Sequence, residues 1–168
     1  MSSCNAARSP MEVNLKLLRD ESEKGIYETE FKQIIGSLWF LCNSRPELAF
    51  CLGLISRFMG SSKRSHLLTA KRVLRYVQGT IDHGILFAIG KQKFELESVG
   101  YTDTDHGGDL VERKSTFGFV FLLNKALASW CSKKQPVIAL SNCEAEYIAG
   151  SFATCQCVWL EELLMELR

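Results

Sequence analysis

The sequence predicts an α+β (α/β) chain: N-terminal helices, then an antiparallel three-strand meander, then one long helix. Two observations carry this. Apolar residues recur at helical spacing from about Thr29 to Gly79 and again after Asn142, while the stretch between them breaks into short β-rich runs separated by Gly, Asn, Lys or Asp. A third observation divides the 168 residues by charge: positions 1–97 hold 14 Lys and Arg against 10 Asp and Glu, and positions 98–168 hold 6 against 9. Two regions of opposite charge in one chain of net charge +1 imply different work for each.

Residues 1–25 are polar and read as an extended leader that packs little. In "ETEFKQIIGSLWFLCNSRP", Phe31, Ile34, Ile35, Leu38 and Cys42 share a helical face, and Pro46 closes the helix. The same proline opens "PELAFCLGLISRFMG", where Leu48, Cys51, Leu52, Ile55 and Met59 repeat and Gly60 is expected to supply a left-handed stop. The third helix, "SHLLTAKRVLRYVQG", is expected to bury Leu67, Ala70, Leu74 and Val77 and to end at Gly79. No acid occurs between Glu47 and Asp82, and Arg64, Lys71 and Arg75 fall on one helical stripe. Such a stripe is either a solvated face or a surface that tracks phosphates, with affinity that falls as salt rises.

The runs "GILFAIG", "FELESVGYTD", "STFGFVFLL" and "LASWCS" read as strands. From Asn142 to Leu167 the pattern is helical, with Ala145, Ile148, Ala149, Phe152, Val158, Leu160, Leu163, Leu164 and Leu167 on a broad apolar face. Trp130 and Trp159 read as core. The seven cysteines are scattered, contain no C-x-x-C pair, and so argue against a zinc site. With no 18-residue apolar run and no signal-peptide pattern at the start, the expectation is an intracellular protein, cytoplasmic or nuclear, that is neither secreted nor membrane-spanning.

The acids of "GYTDTDHGGDLVERKSTFGFVF" carry the chemistry. Asp103 at a strand end is explained by turn formation alone, and Glu144 near a helix start by the helix dipole. Their order is more informative. A strand bearing Asp, two more strands, then a helix bearing Glu is an arrangement that delivers two carboxylates to Mg²⁺ for phosphodiester hydrolysis. Asp105 shares a side with Asp103 only if the strand continues, and Gly107–Gly108 suggests that it is turning. Glu146, two residues beyond Glu144 and on another helical face, reads as a surface acid. His106 reads as a loop residue, not a ligand. Arg113, Lys114 and Ser115 form either a solvated turn or a contact to a phosphate backbone.

These residues also carry a resemblance. "GYTDTDHGGDLVERKSTFGFVF", "ASWCSKKQPVIALSNCEAEYIAG" and "CVWLEELLMEL" resemble the RNase H domain of copia-type retrotransposon Pol polyproteins. "PMEVNLKL", "YETEFKQIIGSLWFLCNSRPELAF", "LGLISRFM" and "AKRVLRYVQGTIDHGI" resemble the segment that follows the reverse transcriptase palm in the same polyproteins. The match spans about residues 10–168. It implies a helical connection region over 26–82 and a truncated RNase H-like domain over 83–168. It also implies Asp103 and Glu144 as catalytic metal ligands, Mg²⁺ as cofactor, and an RNA–DNA hybrid as partner.

The departures from the family pattern set further expectations. No palm motif of the Y-x-D-D type occurs, and the third catalytic aspartate of the family lies on a strand after the long helix, where this sequence reaches Arg168. The expectation is therefore an incomplete RNase H-like fold, inactive by itself, with an open sheet edge that could self-associate. The alternatives are a non-catalytic nucleic-acid-binding module built on the basic 57–75 segment, or a decayed reading frame without a selected function.

Overall fold

A computed structural model describes residues 4–18, 22–87 and 97–167. The chain divides into two compact units, Met1–Gly84 and Ile85–Arg168. Among the described residues there are four α-helices and one three-stranded antiparallel sheet, which bears out the α+β class. No described helix is long and apolar enough to cross a membrane.

In the first unit, α1 (Glu28–Leu41) buries Phe31, Ile35 and Leu38, one stripe of a 3.6-residue period, against α2 and α3. The region expected as one helix from Pro46 to Gly60 is segmented. A 3₁₀ turn (Pro46–Leu48) leads into α2 (Ala49–Ile55), and a second 3₁₀ turn (Ser56–Phe58) follows. Gly60 is not left-handed, because the tightening at Ser56–Phe58 has already ended the helix. Leu48, Leu52 and Ile55 are wholly buried, each contributing about 1.5–3 kcal/mol.

Helix α3 (Arg64–Gly79) ends where expected but is rotated from the expected face. His66, Thr69, Ala70 and Val73 are buried, while Leu67, Leu74 and Val77 are only half-buried. Polar residues can occupy the inner face because their bonds are met internally. Thr69 Oγ1 donates to Ser65 O at 3.0 Å. His66 stacks on Phe58 at 4.0 Å, its Nδ1 accepts from the Lys63 N–H at 3.0 Å, and its Nε2 lies 3.1 Å from Leu18 O.

The leader packs more than its composition suggested. Ala7 N–H donates to Arg75 O, Arg75 Nε donates to Asn5 O at 2.7 Å, and Arg72 donates to Glu12 at 2.9 Å and to Ser9 Oγ at 3.2 Å. Glu23 accepts from both the N–H and the hydroxyl of Ser65 at 2.7 Å. Arg45, 6% exposed, clamps the α1–α2 junction to the end of α3. It pairs with Glu47 at 2.6 Å, donates to Thr80 O and Oγ1 at 3.0 and 2.6 Å, and lies over the Tyr76 ring.

In the second unit, β1 (Ser98–Asp105), β2 (Thr116–Leu123) and β3 (Ala126–Lys134) lie in the order 1-2-3, so β1 and β3 are the edges of the described sheet. The β2–β3 hairpin turns through Asn124 and Lys125, both left-handed, as a two-residue hairpin loop requires. Gly84–Phe87 carry no strand, and the rest of "GILFAIG" and the start of "FELESVGYTD" lie outside the described residues.

Helix α4 (Asn142–Glu166) packs chiefly on β1 and less on β2. Phe117, Phe119 and Phe121 form the core with Ala149 and Leu160, and Phe152 stacks on Phe117 at 4.7 Å. The broad apolar face expected of α4 is only partly covered: Val158 and Trp159 are half exposed and Leu167 is largely exposed, so Trp159 is not the core residue expected.

Two outcomes follow. Burial pulls the His66 imidazole below its ordinary 6.5, so the unfolded chain takes up the proton first. Stability of the first unit is therefore full above pH 6.5 and falls as the pH drops below it, and His66→Gln should flatten that dependence in thermal unfolding between pH 7 and 5. In the second unit, Gly100 faces the buried Phe121 ring, and a Cβ there would come within 2.5 Å of it. Gly100→Ala should cost about 1–3 kcal/mol in urea unfolding.

Candidate carboxylate site

The strand register decides which side chains share a face. Thr104 pairs with Phe117, Thr102 with Phe119 and Gly100 with Phe121, so these β1 residues lie on the face that α4 covers. Tyr101, Asp103 and Asp105 therefore project from the opposite face. Asp103 sits opposite Gly118, which is opposite Ser132, so no side chain stands beside it on β2. Its carboxylate is exposed and has no side-chain partner among the described residues.

Strand β1 does continue through Asp105, where the glycine pair had suggested a turn. Asp105 is nevertheless engaged. Its carboxylate accepts the Thr116 N–H, and Gly108 lies so close that any Cβ there would collide with it. The loop beyond is rigidly bonded. Gly107, at φ +62°, donates to Ser115 Oγ at 3.0 Å, and Asp109 Oδ1 accepts from Val111 N–H at 3.0 Å. Lys134 bridges Asp109 at 3.4 Å and Glu112 at 2.6 Å, and Lys114 pairs with Glu112 at 3.4 Å. The Lys134 hydrogen bond holds the Glu112 carboxyl below its ordinary range. Of the loop cations proposed for phosphate contact, Lys114 is thus internally paired, while Arg113 is exposed, left-handed at φ +58° and without a side-chain partner among the described residues. His106 lies 3.2 Å from Ala139 O through Nε2.

The two glutamates of α4 differ in what they do. Ser141 is the N-cap, and its hydroxyl accepts the Glu144 N–H at 3.1 Å. Glu144 Oε2 accepts the Leu140 N–H at 2.7 Å. Ser141 thus caps the helix, and Glu144, three positions on in "SNCE", bonds the N–H one residue ahead of the cap and not that of Ser141, so the S-x-x-E pattern is present without the reciprocal box. Glu146 has no side-chain partner among the described residues. At 100° per residue, Glu146 lies about 60° from the centre of the sheet-facing stripe and Glu144 about 140° from it. The helix side nearer the sheet thus carries the free carboxylate.

Exposed carboxylates are donors of the kind a hard divalent cation takes, but Asp103 projects from the face opposite α4, so the structure does not bring it together with Glu144 or Glu146. Mg²⁺ takes one or two carboxylates and completes its shell with water and phosphate oxygens. Among the described residues no three His, Cys, Asp or Glu side chains converge on one point, so they do not supply a two-ion centre. Cysteines do not contribute: burial pushes the Cys42 thiol up to about 11 and the Cys51 thiol up to about 12. On α3, Arg64 and Lys71 are exposed without side-chain partners among the described residues, whereas Arg75 is held by the leader.

Three relatives bear on identity. The chain is 43% identical over 128 residues to "Secreted RxLR effector protein 161" of Plasmopara viticola, covering 75% of this chain and 87% of that protein. It is 36% identical over 159 residues to the "Retrovirus-related Pol polyprotein from transposon RE2" of Arabidopsis thaliana, covering 95% of this chain. It is 32% identical over 174 residues to the corresponding polyprotein from transposon TNT 1-94 of Nicotiana tabacum, covering 99% of this chain. The chain spans only 11% and 13% of those two polyproteins. No protein-family model and no solved structure matches it.

The bond from the Leu140 N–H to Glu144 can be tested by substitution. Glu144→Ala should lower stability of the second unit by about 0.5–1.5 kcal/mol in chemical denaturation, whereas Glu144→Gln, which keeps an acceptor, should cost less.

Proposed function

We propose that the chain, which belongs to the family of the Plasmopara viticola relative and is similar to retrotransposon Pol polyproteins, carries in its second unit the metal-binding strand-and-helix portion of an RNase H-type nuclease. The observation that carries this reading is the match of nearly the whole chain to two retrotransposon Pol polyproteins, with Asp103 exposed and without a side-chain partner among the described residues. Glu144, the second acid that the resemblance implies as a ligand, accepts the Leu140 N–H in this structure and would have to release it to reach a cation.

Asp103 is the exposed carboxylate free to hold Mg²⁺, which when bound would supply Lewis-acid polarisation of a phosphate oxygen and an acidified water. The chain's own contribution is placement. Gly118 leaves the flank of Asp103 open to a phosphate, and the rigid β1–β2 loop presents Arg113 to a nucleic-acid backbone. Arg64 and Lys71 on α3 add phosphate contacts that carry no sequence preference. The substrate class is an RNA–DNA hybrid. Among the described residues no three acids converge, so these residues alone are expected to cleave hybrid at most in trace.

Titrating a labelled RNA–DNA hybrid with and without Mg²⁺ tests this. Mg²⁺ should tighten binding, and Asp103→Asn should abolish that gain while leaving the salt-dependent basal affinity. Binding that ignores Mg²⁺ and the substitution would remove Asp103 from the function. Rapid cleavage sensitive to Asp103→Asn would instead show that these residues suffice for turnover.

A further inference from the structure

Residues 5–12 lie along the C-terminal half of α3 and cover two of its cations. Ala7 N–H donates to Arg75 O at 3.4 Å, and Arg75 Nε donates to Asn5 O at 2.7 Å. Arg72 donates through Nη1 to Glu12 at 2.9 Å and through Nη2 to Ser9 Oγ at 3.2 Å. The helix end is notched for this crossing. A Cβ on Gly79, the last residue of α3, would come within 2.5 Å of the Ala6 Cβ, so the missing side chain is what lets the leader pass there. On Arg72 the Glu12 carboxylate stands where a phosphate oxygen would stand in a complex with nucleic acid.

The cover is closed but weakly fastened. From Cys4 to Glu12 only Ala7 is buried. Glu12 is largely exposed, and an exposed ion pair contributes little. The closed leader also leaves the guanidinium half served: Arg72 Nε is buried without an acceptor among the described residues, which weighs against the covered state. Beyond Glu12 the leader stands off from α3 over a cavity of about 540 Å³, with Leu15 and Leu18 on one side and Leu68, Thr69 and Arg72 on the other. A segment with so few buried apolar contacts opens at low cost.

We infer that residues 5–12 are an autoinhibitory strap: closed, they occupy Arg72 and Arg75 in place of a phosphate backbone, and a nucleic acid bound along α3 displaces them. The inference rests on the reading of α3 as a surface that contacts phosphates. With the strap lifted, Arg72 and Arg75 join Arg64 and Lys71, and the four cations lie within about 100° of helix arc. Because strap and nucleic acid compete for the same groups, each weakens the other by the same factor.

The full chain is titrated with a labelled RNA–DNA hybrid, while exchange of the Ala7 amide followed by NMR reads whether the strap is open. Hybrid should speed that exchange in the wild type. Gly79→Ala sets a methyl against Ala6 and changes no charge, and Glu12→Gln releases Arg72. Both should speed the exchange and tighten hybrid binding at least about 5-fold. Adding Arg72→Gln to Gly79→Ala should take back the gain. A strap that opens in either variant with hybrid affinity unchanged or weaker would overturn the inference. Exchange as slow as in the wild type in both variants would make the leader a fixed part of the fold and overturn it equally. Wild-type binding that ignores Arg64→Gln, Lys71→Gln and added salt would overturn the α3 surface itself, and that result is seen before the leader is changed.

Discussion

Three phenylalanines on alternate positions of β2 hold the second unit together. Phe117, Phe119 and Phe121 point to one face of the sheet, and their burial requires α4 to lie there. Everything of functional interest follows from that placement. Because Thr104, Thr102 and Gly100 pair with these rings, they share the covered face, and the alternation of the strand sends Asp103 to the other. A one-residue slip of β1 would exchange the two sets and bury a carboxylate under the helix. The same rings explain Gly100, since Phe121 occupies the space its side chain would need.

The first unit is organised by charge as well as by apolar burial. Its third helix has cations without acids of its own, and acids come to it from the leader: Glu12 pairs with Arg72, and Glu23 accepts the N–H and hydroxyl of Ser65 at the start of the helix. Exposed ion pairs of this kind are worth little singly. Together with the main-chain bonds at Ala7, Asn5 and Leu18, they fix the leader along α3 and remove Arg72 and Arg75 from the surface available to phosphates. Arg64 and Lys71 remain, so the basic stripe seen in the sequence is narrower in the folded chain.

Much of the fold was legible because the periodicities were strong. The α1 stripe, the three strands from Ser98 onward and the α4 start at Asn142 all follow from spacing. What escaped was decided by contacts between distant residues. The inner face of α3 could not be read because His66 and Thr69 look polar, and only the leader and Phe58 make them buryable. Trp159 looked like core because indoles are usually buried, and spacing does not say which side of α4 meets the sheet. The local bonding of Glu144 was available in "SNCE", a serine with an acid three positions on.

The central claim is that Asp103, exposed on the face of β1 away from α4, is a ligand for a divalent cation. An anomalous-scattering map from crystals of the chain grown with Mn²⁺ measures this directly. The account predicts a peak in contact with the Asp103 carboxylate. A map with no peak at Asp103 would contradict it.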